Sequence, residues 1–318
     1  MRVATSAVEL ESLRPLWEKL SREPQATIFQ SYQWNIIAAR SFADREAPYV
    51  IALEDEVGAV IVPASRPMKG GSSATFLGER LFDYRDVLAV GDTELIQGGL
   101  DQLSAAGYEL WLPAIWEDSL LLTSGCGKPS PWVGAPYLRR VDMDPDAFLA
   151  QHFKARKQMR RLVRAGAEFR RYDGGATGLL RSIYARKATQ FASSDDIFSD
   201  PRRRDCMVEI AGAWGKKCDI FTIEFGSAMV AALVAFRDRE VRRFYTIWHD
   251  SRWRQFSPGI VMLLHACQAS LTEGLDVDFL TGEQPHKTRF AAGSTQLYRF
   301  NASPTPALEP GTAEALIA

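Results

Sequence analysis

Glu283, His286, Lys287 and Arg289 stand close together, directly after a short apolar run at 277–280. So many ionisable groups at one exit loop exceed what packing requires, although a charged, solvated loop is the competing reading. A lysine and an arginine there can hold a phosphate or a developing oxyanion. A second set, Tyr245, Trp248, His249 and Asp250, ends an aromatic and β-branched run. A histidine at a strand end can titrate near neutrality and accept a proton. For His249 the competing reading is a surface pair with Asp250, and for Tyr245 and Trp248 it is core packing. A third set is Ser257-Pro258-Gly259, ahead of apolar residues at helical spacing: Ile260, Leu263, Leu264, Cys267 and Leu271. Ser257 suits an N-cap and Pro258 the first helical position, so the loop opens onto a helix N-terminus that favours an anion. No nucleophile elbow, Walker loop, dinucleotide fingerprint or zinc spacing occurs. What remains is transfer chemistry in which the protein positions two substrates.

These sets are held by one stretch, 219–290. Its first three runs read as antiparallel strands, turning at Gly226-Ser227 and at 237–240. The helix from 258 stops at Gly274, and 277–280 returns as a strand. A strand–helix–strand crossover makes the returning strand a parallel neighbour of the strand before the loop. Both functional loops then leave the same sheet edge, where open α/β sheets take their ligands. Asp278 faces away from Val277 and Phe279, and an acid inside a core strand needs a partner.

Upstream, 8–20 is an amphipathic helix with Leu10, Leu13, Trp17 and Leu20 on one side. A second helix begins at Phe29–Trp34, a hairpin spans 49–63, and strands at 74–77 and 108–112 flank a helix at 92–106. The loop 81–86 contains Asp83 and Tyr84. This order (hairpin, strand, polar–aromatic loop, helix, strand) matches that of 219–280, which makes an internal duplication the economical reading. Between the halves, 144–166 reads as a basic helix capped by Asp144. Phe148, His152, Met159, Leu162 and Val163 are expected on one side. Lys154, Lys157, Arg161 and Arg164 are expected on the other, with Arg156 and Arg160 at the margin. A solvated face explains most of these charges, and Arg156 and Arg160 are the candidates for phosphate contact. Arg202-Arg203-Arg204 reads as solvated. Neither basic run has the aromatic interleaving of a nucleic-acid groove. Helices are expected at 177–191 and 205–216, a mobile loop at 192–201, a last short strand at 296–301 and a frayed tail at 303–318.

The composition is that of a globular chain long enough for two ordinary domains. Its 38 basic and 39 acidic residues nearly cancel, so global charge names no partner. The four cysteines and four histidines lack metal spacing, so no metal is expected. No apolar run is long enough to span a membrane, and the charged start does not resemble a signal peptide. A cytoplasmic location with reduced thiols is the expectation.

The stretch SPGIVMLLHACQASLTEGLDVDFLTGEQPHKTRF resembles the C-terminal signature of the FemAB-like branch of the GNAT acyltransferases, in the CelD-like (cellulose biosynthesis) group. That pattern places Ser-Pro-Gly at a helix start, Asp-Phe in the next strand, then Gly-x-x-x-Tyr-Lys-x-Arg-Phe or Trp. Gly282, Lys287, Arg289 and Phe290 match, and His286 stands where tyrosine is usual. The basic stretch KARKQMRRLVRAG, Phe29-Gln30-Ser31 with Trp34, and Asp83-Tyr84 resemble the family's other motifs. The resemblance implies an α/β protein with mixed α+β sheets and a tandem GNAT-like (acyl-CoA N-acyltransferase) fold of two degenerate GNAT domains. These would be 1–143 and 167–302, linked by 144–166. It further implies transfer of an acyl group, acetyl first, from acyl-CoA to an amine on a sugar nucleotide or polysaccharide precursor, with no metal and no DNA. Peripheral contact with the inner membrane or polysaccharide machinery is also implied. Gln255, Phe256, Ser257, Gly259 and Ile260 would bind the donor. Lys287, and His249 or else Glu283, would do the chemistry. Arg289, His286, Tyr245, Trp248, Asp83, Tyr84, Arg156 and Arg160 would bind substrate. The superfamily's diphosphate loop is Gln/Arg-x-x-Gly-x-Gly/Ala; Pro258 replaces its first glycine and brings no N–H. The alternatives are a FemX-like transferase using aminoacyl-tRNA on a peptidoglycan precursor, which lacks here the inserted helical hairpin, and a non-catalytic subunit of a polysaccharide export system.

Overall fold

The computed structural model describes residues 1–78, 80–91, 93–190 and 197–302. The expected tail at 303–318, loop residues 192–196, the helix end at Phe191 and the helix start at Asp92 lie outside the described residues.

The first half runs β1 (Arg2–Ala4), α1 (Ala7–Leu20), α2 (Tyr32–Ser41), β2 (Glu46–Glu54), β3 (Ala59–Pro67), β4 (Ser73–Phe76), β5 (Leu88–Val90), α3 (Thr93–Ala105), β6 (Glu109–Trp116), α4 (Leu120–Thr123) and β7 (Lys128–Leu138). Then come α5 (Pro145–Gln151) and α6 (Phe153–Arg164). The second half runs β8 (Glu168–Asp173), α7 (Thr177–Gln190), α8 (Pro201–Trp214), β9 (Cys218–Phe225), β10 (Ala228–Asp238), β11 (Val241–His249), α9 (Pro258–Thr272), β12 (Asp276–Asp278), α10 (Pro285–Thr288) and β13 (Gly293–Ala302).

All described strands form one mixed sheet, ordered β1-β2-β3-β4-β6-β13-β7-β12-β11-β10-β9-β8, with β5 on β3. The order is palindromic. β4 and β6 pair in parallel, and so do β11 and β12; every other pairing is antiparallel. Each half therefore repeats one pattern, and the halves exchange their last strands: β13 pairs with β6, and β7 with β12. The last strand, expected to be short, is a long central one for this reason.

Helices cover both faces. α1, α2, α7 and α8 share one core, in which Trp34 of α2 packs edge-on against Phe236 of β10 at 4.9 Å. On the other face α3 lies over the first half, and α5, α6 and α9 over the second. Buried charge ties the halves together as well. Asp278 of β12 accepts a hydrogen bond from Tyr84 Oη at 2.7 Å and is paired with Arg243. This is the partner its buried place requires.

The basic segment is two helices rather than one. His152 breaks it, with φ −99° and ψ 41°. The break lets α5 bury Phe148 while α6 buries Ala155 and Leu162. Val163, expected inside, is exposed. Ser257 occupies the N-cap position of α9, but in the left-handed region (φ 49°) and without a side-chain capping bond. Its backbone is spent on turning the chain from the 3₁₀ segment Ser251–Phe256 into α9.

Candidate functional site

The site follows from how little β11 and β12 pair. Their parallel ladder covers only Val241–Arg243 against Asp276–Asp278. Beyond it the chain follows β7: Phe279 N–H donates to Pro136 O (3.0 Å) and Gly282 N–H to Gly134 O (2.8 Å). Leu280 takes φ 61° in that departure. Phe244 to His249 of β11 therefore face a gap instead of a neighbouring strand. A bulge deepens it, since Val234 pairs with Thr246 and Ala235 with Phe244, leaving Tyr245 between them.

The gap is a cleft of about 660 Å³, running from Ser257, Pro258, Gly259 and Ile260 to Lys287. It continues into an inner chamber of about 220 Å³ lined by Asp83, Tyr245 and Phe279. Ile197, Phe198, Ile247 and Leu263 give it an apolar floor. Lys187, Arg254, His249, His286 and Lys287 line it, and no acid does among the described lining residues. Asp83 is the acid of the inner chamber. Such a cleft suits a ligand with an apolar arm and an anionic end.

Burial shapes the titrating groups. Desolvation pushes the Lys287 ammonium below the usual lysine range, opposed by Asp83 and Asp278, and its Nζ donates to Thr281 O at 2.7 Å. Desolvation also raises the Asp83 carboxyl, opposed by Thr281 and Lys287. Two loops from opposite halves thus place an acid and an ammonium around one chamber. His286 is lowered by burial, then by Lys287, Lys187 and His249. His249 is lowered by burial and Lys187, against Asp250.

His249 sits over the first turn of α9; a Cβ added at Gly259 would lie 3.5 Å from its ring. Its Nδ1 is 3.1 Å from Gln190 Nε2, while Gln190 Oε1 is buried with no partner among the described residues. Turning the Gln190 amide over, at the loss of the long 3.4 Å bond from its Nε2 to His249 O, lets Oε1 accept Nδ1–H, which leaves the Nε2 lone pair of His249 free. Asp250 is committed to the turn, bonded to Arg252 N–H at 3.0 Å and to the Arg252 guanidinium.

Of the residues proposed from sequence, His249, His286, Lys287, Tyr245, Ser257, Gly259, Ile260 and Asp83 gather at the cleft. Others lie elsewhere. Trp248 points to the opposite face of β11, buried under the Arg186 guanidinium. Tyr84 is buried between the halves on Asp278. Glu283 is exposed and lies against Gly134 of β7. Arg289 faces a separate hollow with His152 and Lys154, because α10 turns it away from Lys287. Gln255 is exposed, and Phe256 stands under the Arg161 guanidinium, 5.5 Å from it. Arg156 and Arg160 lie on α6, outside the cleft. Lys187, Gln190 and Arg254 were missed from sequence. Arg254 adjoins Gln255 in the same loop, but nothing local marks the end of α7 as a cleft wall.

A mixed sheet that splits at a parallel pair, over the N-terminus of the helix joining those strands, is the GNAT arrangement, and this chain has the strand pattern twice. Residues 151–288 match the family model for the acetyltransferase (GNAT) domain. That segment is an acetyltransferase (GNAT) domain by sequence, and the whole chain has a tandem GNAT fold. No curated protein matches the sequence. Among solved structures, the C-terminal domain of a protein assigned as a lysylphosphatidylglycerol synthetase from Agrobacterium fabrum is similar at 11% identity, covering 94% of this chain and 93% of that one, TM-score 0.63. FemX is similar at 10% identity, with 95% and 97% covered, TM-score 0.55. A tandem GNAT protein from the clavulanic acid biosynthesis pathway is similar at 10%, with 96% and 99% covered, TM-score 0.53. At these identities the likeness is one of fold. Among the described residues no group of three or more His, Cys, Asp or Glu could hold a metal ion, and no helix is long and apolar enough to cross a membrane.

Proposed function

We propose that the chain is an N-acyltransferase that moves an acyl group from acyl-CoA, acetyl-CoA first, to an amine of a sugar nucleotide or polysaccharide precursor. The observation that carries this reading is the split between β11 and β12, with its apolar floor and cationic lining. The unpaired edge of β11 suits an extended amide-bearing arm, and Arg254, Lys187 and the N–H groups of Gly259 and Ile260 suit its phosphates. The CelD-like sequence resemblance supports the acceptor class. The units 1–143 and 167–302 would each be a GNAT-like domain, with the cleft of the second as the working one. In the reaction the amine nitrogen attacks the thioester carbonyl, the C–N bond forms, the C–S bond breaks and the thiolate leaves. His249 Nε2 takes the amine proton, and Lys287 steadies the charge that develops on the carbonyl oxygen.

The direct test is thermal denaturation with acyl-CoAs, followed by release of free thiol on adding amino sugars. A donor at a hundred times its dissociation constant should stabilise the fold by roughly 2.7 kcal/mol. No shift with any acyl-CoA would remove the donor from this reading. The pH profile gives a second check. His249 is neutral at pH 7 on this account, so kcat/KM should fall as pH drops through a midpoint below about 6.5. His249→Gln should lower the rate and abolish that limb. An unchanged acid limb in His249→Gln would take the proton-acceptor role from this residue.

A second reading has its own observation. Pro258 brings no N–H to the first turn of α9, and Ser257 is turned left-handed, so the diphosphate loop is one donor short. An aminoacyl ester donor needs no such loop. The likeness to a lysylphosphatidylglycerol synthetase domain and to FemX supports aminoacyl transfer in this form.

A further inference from the structure

α6 carries Lys154, Arg156, Lys157, Arg160, Arg161 and Arg164, and no acid. Helical geometry puts Phe153, Lys157, Arg160 and Arg164 in one outward line, flanked by Arg156 and Val163 on one side and Lys154 and Arg161 on the other. The opposite side, Ala155 and Leu162, is buried against the core shared with α9. None of these six cations has an ion-pair partner among the described residues. The neighbouring elements do not neutralise them either. α5 carries Asp146 and its cap Asp144, neither ion-paired to α6 among the described residues; α9 has no acid, and the segment Ser251–Phe256 brings Arg252 and Arg254, with Asp250 already paired to Arg252. The solvated face of α1 mixes its charges, as Arg14 and Glu18 do, and the all-basic α7 pairs Arg181 with Asp205 of α8. The α6 face does neither. It also exposes apolar surface where solvation alone would favour none: Phe153 is 64% exposed and Val163 53%.

From this face we infer that α6 docks the protein on an anionic lipid bilayer. The six cations meet anionic headgroups, and Phe153 and Val163 enter the boundary with the acyl chains. A phosphate ribbon alone would explain the cations but would give Val163 nothing to gain, which favours the bilayer over a nucleic acid. Arg161 lies over Phe256, next to the turn that leads to Ser257, so the docked face adjoins the mouth of the cleft. A substrate held at a membrane would then reach the site from the side that α6 covers. The inference stands whichever acyl donor is used.

The experiment is co-sedimentation of the full chain with vesicles of phosphatidylcholine, alone or mixed with phosphatidylglycerol. Binding should require phosphatidylglycerol and weaken as salt rises. Combined Lys154→Gln, Lys157→Gln, Arg160→Gln and Arg164→Gln should weaken it by roughly a hundredfold or more. Phe153→Ser should weaken it further from the apolar side, while Phe153→Leu, which inserts but cannot stack on a base, should bind nearly as the parent does. Circular dichroism and melting temperature establish that each variant is folded. Equal binding to both vesicle types, or a folded quadruple variant that binds as tightly as the parent, overturns the inference. So does tighter binding to transfer RNA than to vesicles with Phe153→Leu as weak as Phe153→Ser, which would make the occupant a nucleic acid.

Discussion

Lys287→Met is expected to lower turnover by about a hundredfold while leaving the fold intact, the usual consequence of removing one preorganised donor to a developing charge. The side chain is mostly enclosed, and burial already weakens its charged form. Methionine fits an apolar wall of similar length, but the Thr281 carbonyl loses one donor and Asp83 its opposing charge, so stability should fall by about 1–3 kcal/mol. Lys287→Arg should rescue poorly, because a planar guanidinium does not replace a compact ammonium between Asp83 and Thr281. The measurement pairs steady-state rates, with the donor found by thermal shift, and a melting curve of each variant. A folded Lys287→Met protein with parental turnover would make Lys287 a structural residue of the α10 loop and remove it from the proposed chemistry.

Asp278→Ala is expected to destabilise the protein by about 3–5 kcal/mol, the range found when one partner of a buried ion pair is removed. Asp278 and Arg243 are 8% and 9% exposed at their side chains. Besides Arg243, the carboxylate accepts Tyr84 O–H at 2.7 Å and Leu280 N–H at 2.7 Å. Its loss leaves Arg243 with Asp238 alone and orphans a buried hydroxyl and a buried amide. Leu280 is also where the chain leaves β11 to open the cleft, so activity should fall beyond what unfolding explains. Urea denaturation measures the first effect. A midpoint shift equivalent to less than ~1 kcal/mol would mean that water replaces the carboxylate and that the halves are held by other contacts.

Much of this was legible beforehand for a specific reason. The crossover from 241 to 278 combines a Pro-started helix, a glycine stop and short β-branched runs, and each signal is local. From these came the parallel pairing, the shared loop edge and the need for a partner at Asp278. The family resemblance added the tandem fold. His152 was not legible as a break: its neighbours keep helical spacing, and only the need to bury both Phe148 and Leu162 in the core shared with α9 bends the chain there. The left-handed turn at Ser257 was hidden too, because a serine before Pro-Gly reads as an ordinary cap.

The sequence alone determined most of the elements and pointed to the loops that line the cleft, since hydrophobic period, caps and turn residues act over a few positions. Tertiary structure decided which of those residues meet. β13 could be assigned to the seam between the halves only once β6 and β7 both offered it an open edge. Asp83 comes to Lys287 across about two hundred residues because Tyr84 is anchored on Asp278. Arg289, two positions from Lys287, is carried away by the single turn of α10. Sequence distance says little about either outcome: a strand exchange and a buried ion pair set the first, and helical rotation the second.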